Sequence, residues 1–202
     1  MPGRTTVLRP GLIVGPHDNT DRFTYWPARA AAGGEFVAPG SPRDPIQCID
    51  ARDLARFALD CIEQKYVGTY NVTSPPGRFS MGALVSASIS AAVAFAKPEV
   101  DPAPMWMPAD FLASQGVQAW SDMPVWLPAE GSQLAFAATR VDRALQAGLS
   151  VRALQSTVDD TLTWHLGRPD TERASLKTGL ARDKEARVLA AWHARTDEPA
   201  TS

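Results

Sequence analysis

Ten residues near the start, Leu8-Arg9-Pro10-Gly11-Leu12-Ile13-Val14-Gly15-Pro16-His17, constrain the fold of this chain most strongly. Residues 5–9 read as a buried strand that Pro10-Gly11 breaks, Leu12-Ile13-Val14 resume and Gly15-Pro16 turns. Proline removes a backbone donor and glycine opens left-handed conformations, so both pairs punctuate a strand and exclude a continuous helix. An apolar strand of this kind belongs at the centre of a parallel sheet covered on both faces.

Further along, strand and helix signals alternate. Residues 51–65 carry Leu54, Phe57, Ala58, Cys61 and Ile62 at the spacing of a single buried helical stripe. Asp50 caps the start of that helix and Asp53 adds negative charge to its first turn. Gly68 then leads into a strand at 69–72. Before it, residues 23–32 predict a helix ended by Gly33-Gly34, and 35–38 and 46–49 predict short strands on either side of a turn-rich loop. Ser80 caps a helix carrying Leu84, Val85, Ile89, Ala92 and Val93. Residues 97–131 hold several prolines and three tryptophans around one short helix at 109–115. Order resumes with Val141, Ala144 and Leu145 before Gly148, a helix at 156–165, a charged helix at 182–194 and a polar tail from 196. The alternation places the chain in the α/β class.

Composition removes several functions. Twenty basic against 22 acidic residues leave a net charge of −2, with no basic run to track a phosphate backbone, so nucleic acid is not the expected partner. No apolar run approaches the ~20 residues of a membrane span. Two cysteines, Cys48 and Cys61, without paired spacing or a secretory leader, fit a reduced cytoplasm.

Two segments carry a resemblance. Arg9-Pro10-Gly11 with Gly15-Pro16, and the helix Asp50-Ala51-Arg52-Asp53-Leu54-Ala55 followed by Gly68-Thr69-Tyr70-Asn71-Val72, resemble the NAD-dependent epimerase/dehydratase family of extended short-chain dehydrogenases. The resemblance covers only the family's second half. It implies that residues 1–167 form the C-terminal part of a Rossmann-like parallel sheet with a small mixed α/β substrate lobe, variable at 97–131. Residues 168–202 would be a charged, partly helical extension. It further implies that Pro10 touches the nicotinamide face, that the backbone at Leu12 and Ile13 bonds the carboxamide, and that Arg43 holds a substrate phosphate or carboxylate. Asp44 beside Arg43 offers local neutralisation instead.

Other candidates come from the residues themselves. His17 follows the Gly-Pro turn at the mouth of the expected cleft, where an imidazole assists proton transfer or simply occupies a surface turn. Trp106 and Trp120, with Trp126, line a ligand pocket or form the core of the proline-rich lobe. Arg52 reads as a solvated partner of Asp53, and His165 as structural.

The family's chemistry is not carried by these residues. No glycine triplet of the dinucleotide fingerprint occurs, and the residues four beyond Tyr25, Tyr66 and Tyr70 are Arg29, Tyr70 and Ser74, where catalysis needs lysine. No metal-ligand spacing is present. The expectation is therefore a substrate-binding half of an NAD- or NADP-dependent oxidoreductase or epimerase/dehydratase. It acts on a small molecule, is inactive and without tight cofactor binding alone, and associates with a nucleotide-binding half or with itself. A non-catalytic module binding a small ligand or partner through the tryptophan lobe is the alternative.

Overall fold

Gly11 is the point at which the first strand changes neighbours. In the computed structural model, which describes residues 5–197, β1 (Thr6–Pro10) runs parallel to β6 (Gly68–Val72). Beyond Gly11, β2 (Leu12–Val14) runs parallel to β5 (Cys48–Asp50). A Cβ on Gly11 would lie 2.7 Å from the Thr73 hydroxyl, so glycine alone lets the chain pass from one pairing to the other. β3 (Glu35–Pro39) pairs in parallel with β8 (Ala103–Met107), and β4 (Pro45–Ile46) pairs antiparallel with β7 (Phe79–Ser80). The fold is α/β, a partial Rossmann-like arrangement of short, mostly parallel strand pairs with a smaller mixed lobe.

The helices form where the apolar spacing places them. α1 (Tyr25–Ala31) stops at two glycines. At α2 (Ala51–Glu63) the Asp50 carboxylate accepts the Arg52 amide, the cap expected of that aspartate. At α3 (Met81–Ala91) the Ser80 hydroxyl accepts the Ala83 amide. α4 (Ala109–Ser114), α5 (Asp142–Gln146), α6 (Leu154–Leu166), α7 (Asp170–Arg173) and α8 (Arg182–Asp197) follow. Two apolar clusters result. A large one gathers Phe23, Trp26, Phe36, Leu84, Met107 and Leu162, and a smaller one gathers Ile49, Phe57, Cys61, Tyr70 and Val72 between α2 and β6. Both cysteines are buried and form no disulfide.

Several expectations are corrected. The first strand is not buried: Val7 is 42% exposed and Ile13 44%, because each strand segment has a neighbour on one side among the described residues. The stripe of α2 is narrower than its spacing suggests, with Phe57 and Cys61 buried and Ile62 73% exposed. Val93 also leaves its buried stripe. The helix continues past Ala91 as a π-helical turn, Ala92–Ala96, closed by the Lys97 amide on the Ala92 carbonyl, and the extra residue per turn rotates Val93 outward. Strand β8 has no strand signal in sequence because Pro102 and Pro104 signal a loop, yet a strand with one hydrogen-bonded neighbour tolerates proline.

Residues beyond Arg168 contribute to the large cluster through Leu180 and Val188. Residues 1–4 and 198–202, which include most of the polar tail from 196, lie outside the described residues.

Candidate functional site

A groove of about 420 Å³ opens at the carboxyl ends of the parallel strands β2 and β5. Leu12, Ile13, Gly15 and His17 form one wall, and Thr20 and Arg22 contribute from the loop that leads into α1. Open α/β sheets place ligand crevices at such strand ends. Gly15 has φ 119°, a conformation that side chains rarely adopt, so the turn keeps a bare backbone at the groove. His17 takes a left-handed backbone at φ 67°, a conformation that costs a non-glycine residue about 1–3 kcal/mol and concentrates at functional sites. Its ring packs 5.4 Å from Trp164.

Asp18 builds the loop. Its carboxylate accepts the Thr20 amide at 3.0 Å and the Phe23 amide at 2.9 Å, turning the chain from the groove into α1. Asp21 is buried beneath it and paired with Arg168 at 2.8 Å.

The floor rests on Asp50, whose side chain is 1% exposed. It accepts from Arg52 through Nε at 2.9 Å and Nη2 at 2.7 Å, and from the Thr157 hydroxyl at 2.8 Å. Burial pushes the carboxyl up, but the hydrogen bonds from Arg52 and Thr157 together with Arg152 outweigh it and hold it below the usual carboxylate range. Arg52 is therefore not a solvated partner of Asp53. Asp53 is taken by Arg152, whose Nε lies 2.9 Å away, and Arg52 continues to Asp160. Next to Asp50 in the strand, burial pushes the Cys48 thiol up to about 12, which leaves it protonated and inert.

The sequence candidates divide. Leu12, Ile13 and His17 meet in the groove, and Ile13 offers it an exposed apolar side chain. Trp120 stands behind it, half-buried, with the Arg22 guanidinium 5.8 Å from its ring centre and Phe136 packed edge-on at 5.0 Å. Pro10 ends β1 and lies outside the groove wall. Trp106 sits on β8 against the large cluster, opposite Ala38. Trp126 is buried with its indole donating to Asp44 at 2.7 Å. That bond occupies Asp44, and Arg43 is exposed with no ion pair among the described residues. Arg22, Thr20 and the Asp50 network were not singled out by sequence. The one available signal was Asp18-x-Thr20, a short side-chain-to-backbone turn.

Neither strand-to-helix junction leading into a longer helix is open to phosphate. The α2 terminus is filled by Asp50 and faces Asp53, and the first amides of α3 donate to the Asp44 and Pro42 carbonyls. The residues present therefore fit one end of a dinucleotide at most. Among the described residues no three His, Cys, Asp or Glu side chains gather to hold a metal, and no helix is long and apolar enough to cross a membrane.

No protein-family model matches the chain and no curated protein matches it in sequence. Solved structures do match. A GDP-L-fucose synthetase from Naegleria fowleri bound to NADP aligns with 83% of this chain and 46% of its own, at TM-score 0.58 and 15% identity. Another structure of a GDP-L-fucose synthetase from Naegleria fowleri aligns with 86% of this chain and 48% of its own, at TM-score 0.53 and 15% identity. A Thermus thermophilus UDP-glucose 4-epimerase in complex with NAD aligns with 81% and 47%, at TM-score 0.51 and 14% identity. The chain spans about half the length of these proteins, and at such identity the likeness is one of fold: a Rossmann-like α/β arrangement shared with part of each.

Proposed function

We propose that this chain is the substrate-side part of an NAD(P)-dependent oxidoreductase or epimerase/dehydratase. It contributes one wall of a site for hydride transfer at a carbonyl or alcohol carbon of a small molecule. The carrying observation is the groove at the ends of β2 and β5. There the backbone of Leu12 to Gly15 and the exposed Ile13 offer a flat apolar and amide-lined surface to a nicotinamide ring. Pro10 would support the ring's far edge from the preceding strand, His17 would stand at the mouth, and Arg43 and Trp120 would meet the substrate. The similar structures described with NAD and with NADP support the reading, and among the described residues no phosphate cradle accompanies the groove.

A nucleotide-binding half must then supply the phosphate site and the proton-transfer pair. In the isolated chain, calorimetry with NADH and NADPH is expected to give dissociation constants weaker than about 1 μM, because the missing helix terminus anchors most of a dinucleotide. Nicotinamide at tens of millimolar is expected to shift the backbone amide NMR signals of Leu12, Ile13 and His17. Submicromolar dinucleotide binding, or no shift at those amides, overturns the proposal.

A further inference from the structure

A second, arginine-lined cavity is on the other side of α1. It measures about 450 Å³ and lies between α1, the end of α6 and the segment from Arg173 to Arg182. It shares no lining residue with the groove. Its lining contains Arg29, Arg173, Arg182 and His165 but no carboxylate. Two of its lining residues carry a buried donor with no hydrogen-bond partner among the described residues, the Tyr25 hydroxyl and Nε of Arg173. Tyr25 is 4% exposed, and the Leu180 backbone faces its hydroxyl without closing a bond of normal geometry. A buried unpaired donor is costly, and two on residues that line one cavity call for an acceptor oxygen.

Charge narrows the choice. Arg173 is paired with Asp170. Arg29 and Arg182 share the single carboxylate of Glu185, at 2.7 and 3.5 Å, so one positive charge beside the cavity is left over. A monoanion matches that excess, whereas a phosphate dianion exceeds it. The remaining wall is mixed: Ala28, Ala32, Leu176 and Leu180 give it an apolar stretch, and Ser175 and Thr178 are polar.

We infer that this cavity binds a small organic carboxylate with an apolar body, its carboxylate taking the Tyr25 hydroxyl and Arg173 Nε as donors and Arg182 as counter-charge. Cavities of this size hold ligands of that class. The inference does not rest on the proposed oxidoreductase role, since no residue is common to both sites.

The probes are 4-phenylbutanoate, its neutral amide 4-phenylbutanamide and inorganic phosphate, each added to the full chain and followed by the amide NMR signals of Ala28 and Leu180. The carboxylate is expected to shift both and to saturate at or below about 1 mM, with the amide and phosphate at least about tenfold weaker. Tyr25→Phe keeps the ring and removes only the hydroxyl, so it should leave Tm unchanged or raised. It should weaken the carboxylate about fivefold, and Arg182→Ala should do the same, each losing one hydrogen bond or counter-charge. Equal binding of the amide, tighter binding of phosphate, or carboxylate affinity unchanged in Tyr25→Phe overturns the inference. A fall in Tm for Tyr25→Phe does so too, because it shows the hydroxyl is already bonded.

Discussion

Arg29 Nε donates to Glu185 Oε2 at 2.7 Å while the other oxygen of Glu185 accepts the Val37 amide at 3.2 Å, so one buried carboxylate joins α1, β3 and α8. The pair is 5% and 3% exposed. Arg29 also donates to the carbonyls of Gly33 and Glu35, closing the turn between α1 and β3. Removing Glu185 leaves a buried guanidinium without its counter-charge. Glu185→Ala is expected to cost about 3–5 kcal/mol in urea unfolding. Arg29→Met combined with Glu185→Leu should cost less than Glu185→Ala alone. If the double variant costs the sum of its singles, the pair is not coupled.

Arg52 and Arg43 should separate cleanly. Arg52 binds the 1%-exposed Asp50 through two nitrogens, so Arg52→Ala is expected to destabilise the chain by about 1–3 kcal/mol. Arg43→Ala removes an exposed side chain without an ion pair among the described residues and should stay within about 0.5 kcal/mol. Chemical denaturation of the two variants side by side checks both. Equal midpoints would mean that the Asp50 network contributes nothing.

Acid should weaken the fold in two stages. Burial, then the neighbouring Arg168, hold the His165 imidazole below its ordinary 6.5 despite Asp21 nearby. The unfolded chain therefore takes up a proton that the fold resists. The contribution is complete above pH 6.5 and declines as the pH falls below it. Asp50 is depressed as well, so its contribution is present above the ordinary aspartate value of 3.8 and is lost as the pH falls through the lower folded value. Tm measured from pH 7.5 to 5 should fall in the parent and fall less steeply in His165→Gln. Parallel slopes would assign the loss to other groups.

Self-association should follow from the exposed face around β1. Ile62 and Leu59 are 73% and 51% exposed on α2, and Val7 is 42% exposed on a strand hydrogen-bonded on one side among the described residues. Ile62→Lys is expected to lower the apparent mass in sedimentation velocity without lowering Tm, since most of the side chain is already in solvent. An unchanged distribution of species would show that this face is not the contact.

Local signals were readable in the sequence wherever one residue's chemistry decided a conformation. Asp50 and Ser80 cap α2 and α3 because short oxygen-bearing side chains satisfy first-turn amides, and Gly11 and Gly15 mark the strand's break and turn because a Cβ would clash with Thr73 at the first and the positive φ disfavours a side chain at the second. Of the groove residues, His17 could be named because it follows the Gly15-Pro16 turn, whereas Leu12 and Ile13 were named only through the family resemblance. What depended on distant neighbours was not readable. Strand β8 exists because β3 accepts it despite its prolines, Ile62 and Val93 face outward because none of the described residues covers one and a π-helical turn rotates the other, and Arg52 chooses Asp50 over the adjacent Asp53 because Arg152 arrives from 99 residues away to take Asp53. Glu185 reaches Arg29 across a still longer separation, and the cavity beside Tyr25 exists only where α1, α6 and the C-terminal segment meet. Periodicity and capping act within a few residues, whereas ion-pair choice, exposure and cavities are set by which surfaces the folded chain brings together.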